Sequence, residues 1–183
     1  LKDILAYEGI RNSDKIIRLL RLIAFQTGRE VSYTELGTQL GMSKNTVENY
    51  LDLLSRVFII HRLPAYSTNP RKEISKGSKW YFYDNGIRNA IINDFRLPAL
   101  RNDMGSLWEN YLLAERIKKN AYQEKNVQYY FWRNYNQQEV DLIELTNGEI
   151  NGFEFKYTTD KKTKVPPAFS AFYKDASYTV ISK

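Results

Sequence analysis

Glu139-Val140-Asp141-Leu142-Ile143-Glu144-Leu145-Thr146-Asn147-Gly148-Glu149-Ile150-Asn151-Gly152-Phe153-Glu154-Phe155-Lys156 is the stretch that decides the fold. Residues 139–145 and 150–156 are short, apolar-rich runs that read as strands, joined by Thr146-Asn147-Gly148-Glu149. Asn-Gly between two such runs is a strong hairpin signal, because both residues tolerate positive φ. Side chains alternate faces along a strand. Glu154 and Lys156 therefore point one way, while Phe153 and Phe155 point the other way into a core. Asp141 lies mid-strand among Val140, Leu142 and Ile143, where a charge is costly without a partner or a metal. The hairpin makes its strand the neighbour of Glu154 and Lys156. These polar groups are the raw material of a divalent-cation centre. The plain alternative for Glu154 and Lys156 is a same-face ion pair.

Working outward, Val127–Arg133 is a further strand, rich in aromatics, and Met104–Asn120 is a helix with an apolar stripe of Leu107, Trp108, Tyr111 and Leu112. Glu109 falls off that stripe. Ser106-x-x-Glu109 is itself a capping box, so Glu109 reads either as a backbone cap or as a site residue. Lys156–Lys164 is a basic loop, Pro166-Pro167 opens a helix running to about Lys174, and Tyr178–Ile181 is a last strand.

In the first half, Leu1–Gly28 reads as helix, with Ile16, Leu19, Leu20, Ile23 and Ala24 at helical spacing and Gly28 as its C-cap. Ser32-Tyr33-Thr34-Glu35 opens a short second helix that Gly41 ends. Ser43 or Asn45 caps a third, with Val47, Leu51 and Leu54 inward and Lys44, Asn45, Glu48 and Asn49 outward. Two strand-like runs follow, Val57–Leu63 and Lys79–Tyr83, with Asp84-Asn85-Gly86 as the closing turn. The polar stretch between them carries Arg71, Lys72, Lys76 and Lys79. This is the helix-turn-helix pattern with a basic wing. It reads either as a duplex-DNA reader, through Lys44, Asn45, Asn49 and the wing, or as a docking module, since Glu48 would repel phosphate. The expected organisation is mixed α+β. A winged helix-turn-helix domain occupies residues 1–84. A second α/β domain with a mixed sheet occupies 85–183, its C-terminal limit left open.

Across 183 residues, 43% hydrophobic and 26% charged residues fit a globular chain, and the net charge of +6 is compatible with nucleic acid. The basic residues are spread over both halves. The absence of cysteine excludes disulfides and thiolate-bound zinc, and the single histidine, His61, excludes a multi-imidazole site. His61 reads as an ordinary strand histidine. No apolar run reaches a membrane span, so a cytoplasmic chain is expected. No G-x-x-x-x-G-K-[ST] occurs, so these residues alone should not hydrolyse ATP. Leu rather than Met at position 1 suggests a piece of a longer protein. The sequence leaves a homo-oligomer open.

Asp141 followed by Glu154-x-Lys156 resembles the core of the PD-(D/E)xK nuclease superfamily. More broadly, the chain resembles the C-terminal region of a family of prokaryotic AAA+ ATPases, in which a winged helix and then a nuclease-like domain follow the ATPase core. The motifs are Lys79-Trp80-Tyr81-Phe82-Tyr83-Asp84-Asn85-Gly86, Gly105-x-x-x-Glu109-Asn110, Glu139-Val140-Asp141 and Phe153-Glu154-Phe155-Lys156. The resemblance implies a restriction-endonuclease-like α-β-β-β-α-β core. It also implies Asp141, Glu154 and Glu109 as ligands of Mg2+ or Mn2+, and Lys156 as the group that orients water and offsets charge on phosphate. Arg133, Lys161, Lys162 and Lys164 would hold the flanking backbone of bound DNA. ATP would enter only through an ATPase domain of the same full-length chain. A non-catalytic specificity module recruiting DNA or a protein is the other function class.

Overall fold

A computed structural model describes residues 13–67, 77–158 and 163–183. The expected wing cations Arg71, Lys72 and Lys76, the loop residues Lys161 and Lys162, and the first twelve residues of the expected N-terminal helix lie outside the described residues. The architecture is mixed α+β, with helices and two sheets.

Helix α1 (Ser13–Phe25), α2 (Tyr33–Leu40) and α3 (Lys44–Arg56) form a helical cluster. Their apolar stripes, Ile16, Leu19, Leu20 and Ile23 of α1 with Val47, Leu51 and Leu54 of α3, are fully buried together. Side-chain caps fix the two tight starts: Ser32 Oγ accepts from the Glu35 amide at 3.3 Å and Ser43 Oγ from the Thr46 amide at 3.1 Å. Gly41, at φ 60°, ends α2 in the left-handed region, where a Cβ is penalised.

Strands β1 (Ile60–Pro64) and β2 (Ser78–Phe82) pair antiparallel. Every residue of β2 is buried. The reason is that both its faces are covered: Trp80 and Phe82 join the helical core, while Tyr81 joins a second core with Leu113, Phe131, Leu142, Phe153 and Phe155. β2, just before the boundary expected between residues 84 and 85, thus contributes to both cores. Asp84-Asn85-Gly86 does not merely close a turn. Asp84 Oδ1 caps helix α4 (Asn85–Ile92) by accepting from the Ile87 amide at 3.0 Å.

Helix α5 (Met104–Tyr122) lies across a four-stranded sheet of β3 (Gln128–Arg133), β4 (Glu139–Thr146), β5 (Glu149–Lys156) and β6 (Ser177–Ser182), in that order. Its buried residues are Leu107, Asn110, Leu113, Ala114 and Asn120, while Tyr111 is exposed. The stripe is rotated from the expected one because α5 also packs on β2. Arg116 clamps α5 to the sheet, donating to both oxygens of buried Glu144 at 2.7 and 2.8 Å. Asn147 and Gly148, at φ 51° and 87°, make the tight β4–β5 turn. Helix α6 (Pro167–Phe172) carries the chain over to β6, which runs parallel to β5.

Candidate active site

Glu109 owes its position to its neighbour. The fully buried Asn110 accepts from the Phe82 amide at 2.7 Å. It donates to the Phe82 carbonyl at 3.0 Å and to Asn85 Oδ1 at 2.8 Å. Its amide thus completes β2 as another strand residue would and locks α5 against that strand. One residue earlier on α5, Glu109 faces β2, and the Tyr81 hydroxyl donates to Glu109 Oε1 at 2.5 Å. The capping-box alternative for Ser106 and Glu109 does not hold. Ser106 lies inside α5, and the carboxylate goes to Tyr81 rather than back to the backbone.

Gly28 approaches the same carboxylate from the helical half. Its amide donates to the Trp80 carbonyl at 3.2 Å. At its φ of +77°, an added Cβ would stand 3.1 Å from Glu109 Oε1. Gly28→Ala is expected to destabilise the fold by about 1–2 kcal/mol, from left-handed strain alone, with displacement of Glu109 in addition. The shift in the urea midpoint measures it.

Asp141 reaches the site through an irregularity. The β3–β4 register slips by one between Tyr130↔Ile143 and Trp132↔Val140, so Asp141 and Leu142 together oppose Phe131. Such a bulge re-aims a side chain, here next to the last described β4–β5 rung, Leu142↔Phe153. Asp141 Oδ2 accepts from the Phe155 amide at 2.8 Å. Glu154 and Lys156 are ion-paired, as their shared face predicts, and the Tyr178 hydroxyl also approaches Glu154 Oε2 at 3.4 Å.

Glu109, Asp141 and Lys156 line one open cleft of roughly 910 Å³, together with Phe155, Tyr157 and Lys183. Glu154 is not part of that lining among the described residues. It stands behind Lys156. Burial pushes the Asp141 carboxyl up to about 8, and the charges of Glu109 and Glu154 add to this. Glu109 is likewise raised, first by burial, against the pull of Lys79 and Tyr81. Two such carboxyls titrate as a pair. Burial pulls Lys156 down, but its bond to Glu154 and the charges of Glu154, Asp141 and Glu109 outweigh this and raise it. Burial, then the Glu109 charge, holds Tyr81 well above its ordinary value, so it remains a donor.

Among the described residues, no three acidic or imidazole side chains stand close enough to hold one metal ion. The pair Glu109 and Asp141 does fit a hard divalent cation in donor chemistry: oxygen ligands, mutually repelling, on the wall of an open cleft.

One expected DNA contact requires correction. Lys79 is only 3% exposed and bonds Glu139, so it cannot serve as a wing cation. β2 is covered on both faces, which the sequence run does not reveal. Arg133 is turned to Glu139 at 3.5 Å and Glu30 at 3.8 Å, at a different cleft. Lys44, Asn45 and Asn49 are exposed on α3, as expected. His61 sits on β1 beside Tyr83, and burial lowers it to about 4, so it is neutral at pH 7.

The fold and cleft define a mixed α+β chain whose two halves meet around an acidic cluster. The chain belongs to the family described as a domain of unknown function (DUF8612), whose model matches residues 1–97. Residues 104–183 match a second description, a domain of unknown function (DUF4143). An uncharacterised protein of Mycobacterium tuberculosis is 30% identical over 144 residues, covering 78% of this chain and 32% of that protein. One from Mycobacterium bovis matches to the same extent. An uncharacterised Haemophilus influenzae protein is 24% identical over 97 residues, 50% of this chain and 24% of its own length. The chain spans about a third of the length of the mycobacterial relatives, at 32%. No solved structure matches. Among the described residues, no helix is long and apolar enough to cross a membrane.

Proposed function

We propose that these residues are the nucleic-acid-handling, nuclease-like portion of a cytoplasmic AAA+ ATPase, with a winged helix (1–84) and a PD-(D/E)xK-like domain (85–183) that hydrolyses phosphodiesters with Mg2+ or Mn2+. The observation that carries the reading is the grouping of Glu109, Asp141 and Lys156 on one open cleft, with both carboxyls raised first by burial and then by neighbouring carboxylates. A divalent ion bound there supplies positive charge to the phosphoryl oxygens and makes a bound water more acidic. Tyr81 and the Phe155 amide hold the two carboxylates in fixed orientations, which spares reorganisation on reaction. Glu154 anchors the Lys156 ammonium at the cleft, where it can face both water and phosphate. The exposed face of α3, with Lys44, Asn45 and Asn49, is of the kind that enters a major groove.

One observation favours a second reading, a non-catalytic specificity module for the ATPase. Lys79 already neutralises part of the acidic cluster from inside the protein.

Cleavage of a labelled single- or double-stranded DNA in Mn2+ separates the two. Lys156→Ala is expected to lower cleavage by at least about 100-fold and to leave Mn2+ binding intact, because the ammonium does not ligate the ion. Cleavage surviving in Lys156→Ala would remove Lys156 from the mechanism. No cleavage by the unaltered protein, with Mn2+ bound, would favour the specificity module.

A further inference from the structure

We infer that Lys79 is a tethered counter-ion, delivered by β2 from the helical half, that holds the acidic cluster together and competes with a divalent cation for it. The second part rests on the proposed metal site. The first part does not.

Lys79 Nζ bonds Glu139 Oε1, lies 3.9 Å from Glu109 Oε1, and sits 5.1 Å from the Phe131 ring centre. At 3% exposure it has almost no water. A buried ammonium persists only where several acceptors and charges replace hydration. Its acids come from α5 and β4, on the far side of the shared core, whereas Lys79 itself enters on β2. β2 therefore adds a buried cation to a cluster that residues 104–183 meet only with the more exposed Arg133 and Lys156. Tyr81, two residues on, holds the same Glu109 oxygen. Alternation along β2 puts both groups on the face turned to the cluster. Glu109 is thus gripped by two residues of β2 and approached by Gly28. Cations share carboxylates poorly, so an ion that draws Glu109 toward Asp141 must do so against Lys79.

The test is thermal unfolding of the whole chain, in EDTA and across a Mn2+ titration. The variants are Lys79→Met, which keeps the stem but removes the charge, and Lys79→Met combined with Glu109→Gln. Lys79→Met is expected to unfold at a lower temperature in EDTA, and to be stabilised by Mn2+ at roughly tenfold lower concentration than the unaltered protein. Adding Glu109→Gln is expected to recover most of the loss in EDTA and to abolish the enhanced Mn2+ response. Equal Mn2+ half-points for Lys79→Met and the unaltered protein would overturn the competition. A paired variant no more stable in EDTA than Lys79→Met would overturn the counter-ion role. If no variant responds to Mn2+, the metal-site reading and the competition both fall, and the EDTA comparison alone decides the counter-ion role. Should Lys79→Met not fold in EDTA, folding of the paired variant supports that role and its failure overturns it.

Discussion

Asp141→Asn is expected to make the metal-free protein more stable at pH 9, by at least about 2 kcal/mol, at roughly 1.4 kcal/mol per unit of displaced pKa. The carboxyl is pushed up to about 8 by burial and by Glu109 and Glu154. The folded state therefore holds this proton longer than the unfolded chain does. Between the ordinary aspartate range and about 8, the folded protein binds more protons, so stability falls as pH rises through that window and levels off above it. Asparagine keeps the volume and an acceptor for the Phe155 amide, and removes only the charge. At pH 4 the variant should differ little from the unaltered protein. Chemical unfolding in EDTA at the two pH values measures the difference. A variant no more stable at pH 9 would mean that Lys79 already satisfies Asp141. A gain in stability together with loss of cleavage is the trade-off expected where strain serves a site.

Asn110→Ala should cost about 2–4 kcal/mol, because it strips partners from buried backbone groups. Phe82 is fully buried, and its amide and carbonyl both bond the Asn110 side chain. Neither group has water to turn to after truncation. The loss would also free α5 from β2 and so move Glu109 away from Tyr81. Asn110→Asp should be no milder, since it places a carboxylate oxygen against the Phe82 carbonyl. Urea unfolding gives the number. A cost under about 0.5 kcal/mol would mean that the amide network is dispensable.

What was legible in the sequence is what local chemistry fixes. The Asn147-Gly148 turn, the Ser32 and Ser43 caps, the Gly41 terminator and the inward stripes of α1 and α3 all follow from residues a few positions apart. The pairing of Glu154 with Lys156 follows from alternation along one strand. What was not legible depends on residues distant in sequence. A bulge in β4 rather than plain alternation aims Asp141. Lys79 reads as a wing cation because nothing in Ser78–Phe82 says that both faces of β2 will be covered. The role of Asn110 could have been suspected from a polar residue in the buried register of α5, between Leu107 and Leu113, but its partner lies 28 positions away.

The central claim, that Asp141 lies at a divalent-cation site, is tested most directly by calorimetric titration of Mn2+ into the unaltered protein and into Asp141→Ala at pH 8. The account predicts a saturable binding event in the first and none in the second, with both proteins folded. Equal binding by the two, or none by the unaltered protein, would contradict it.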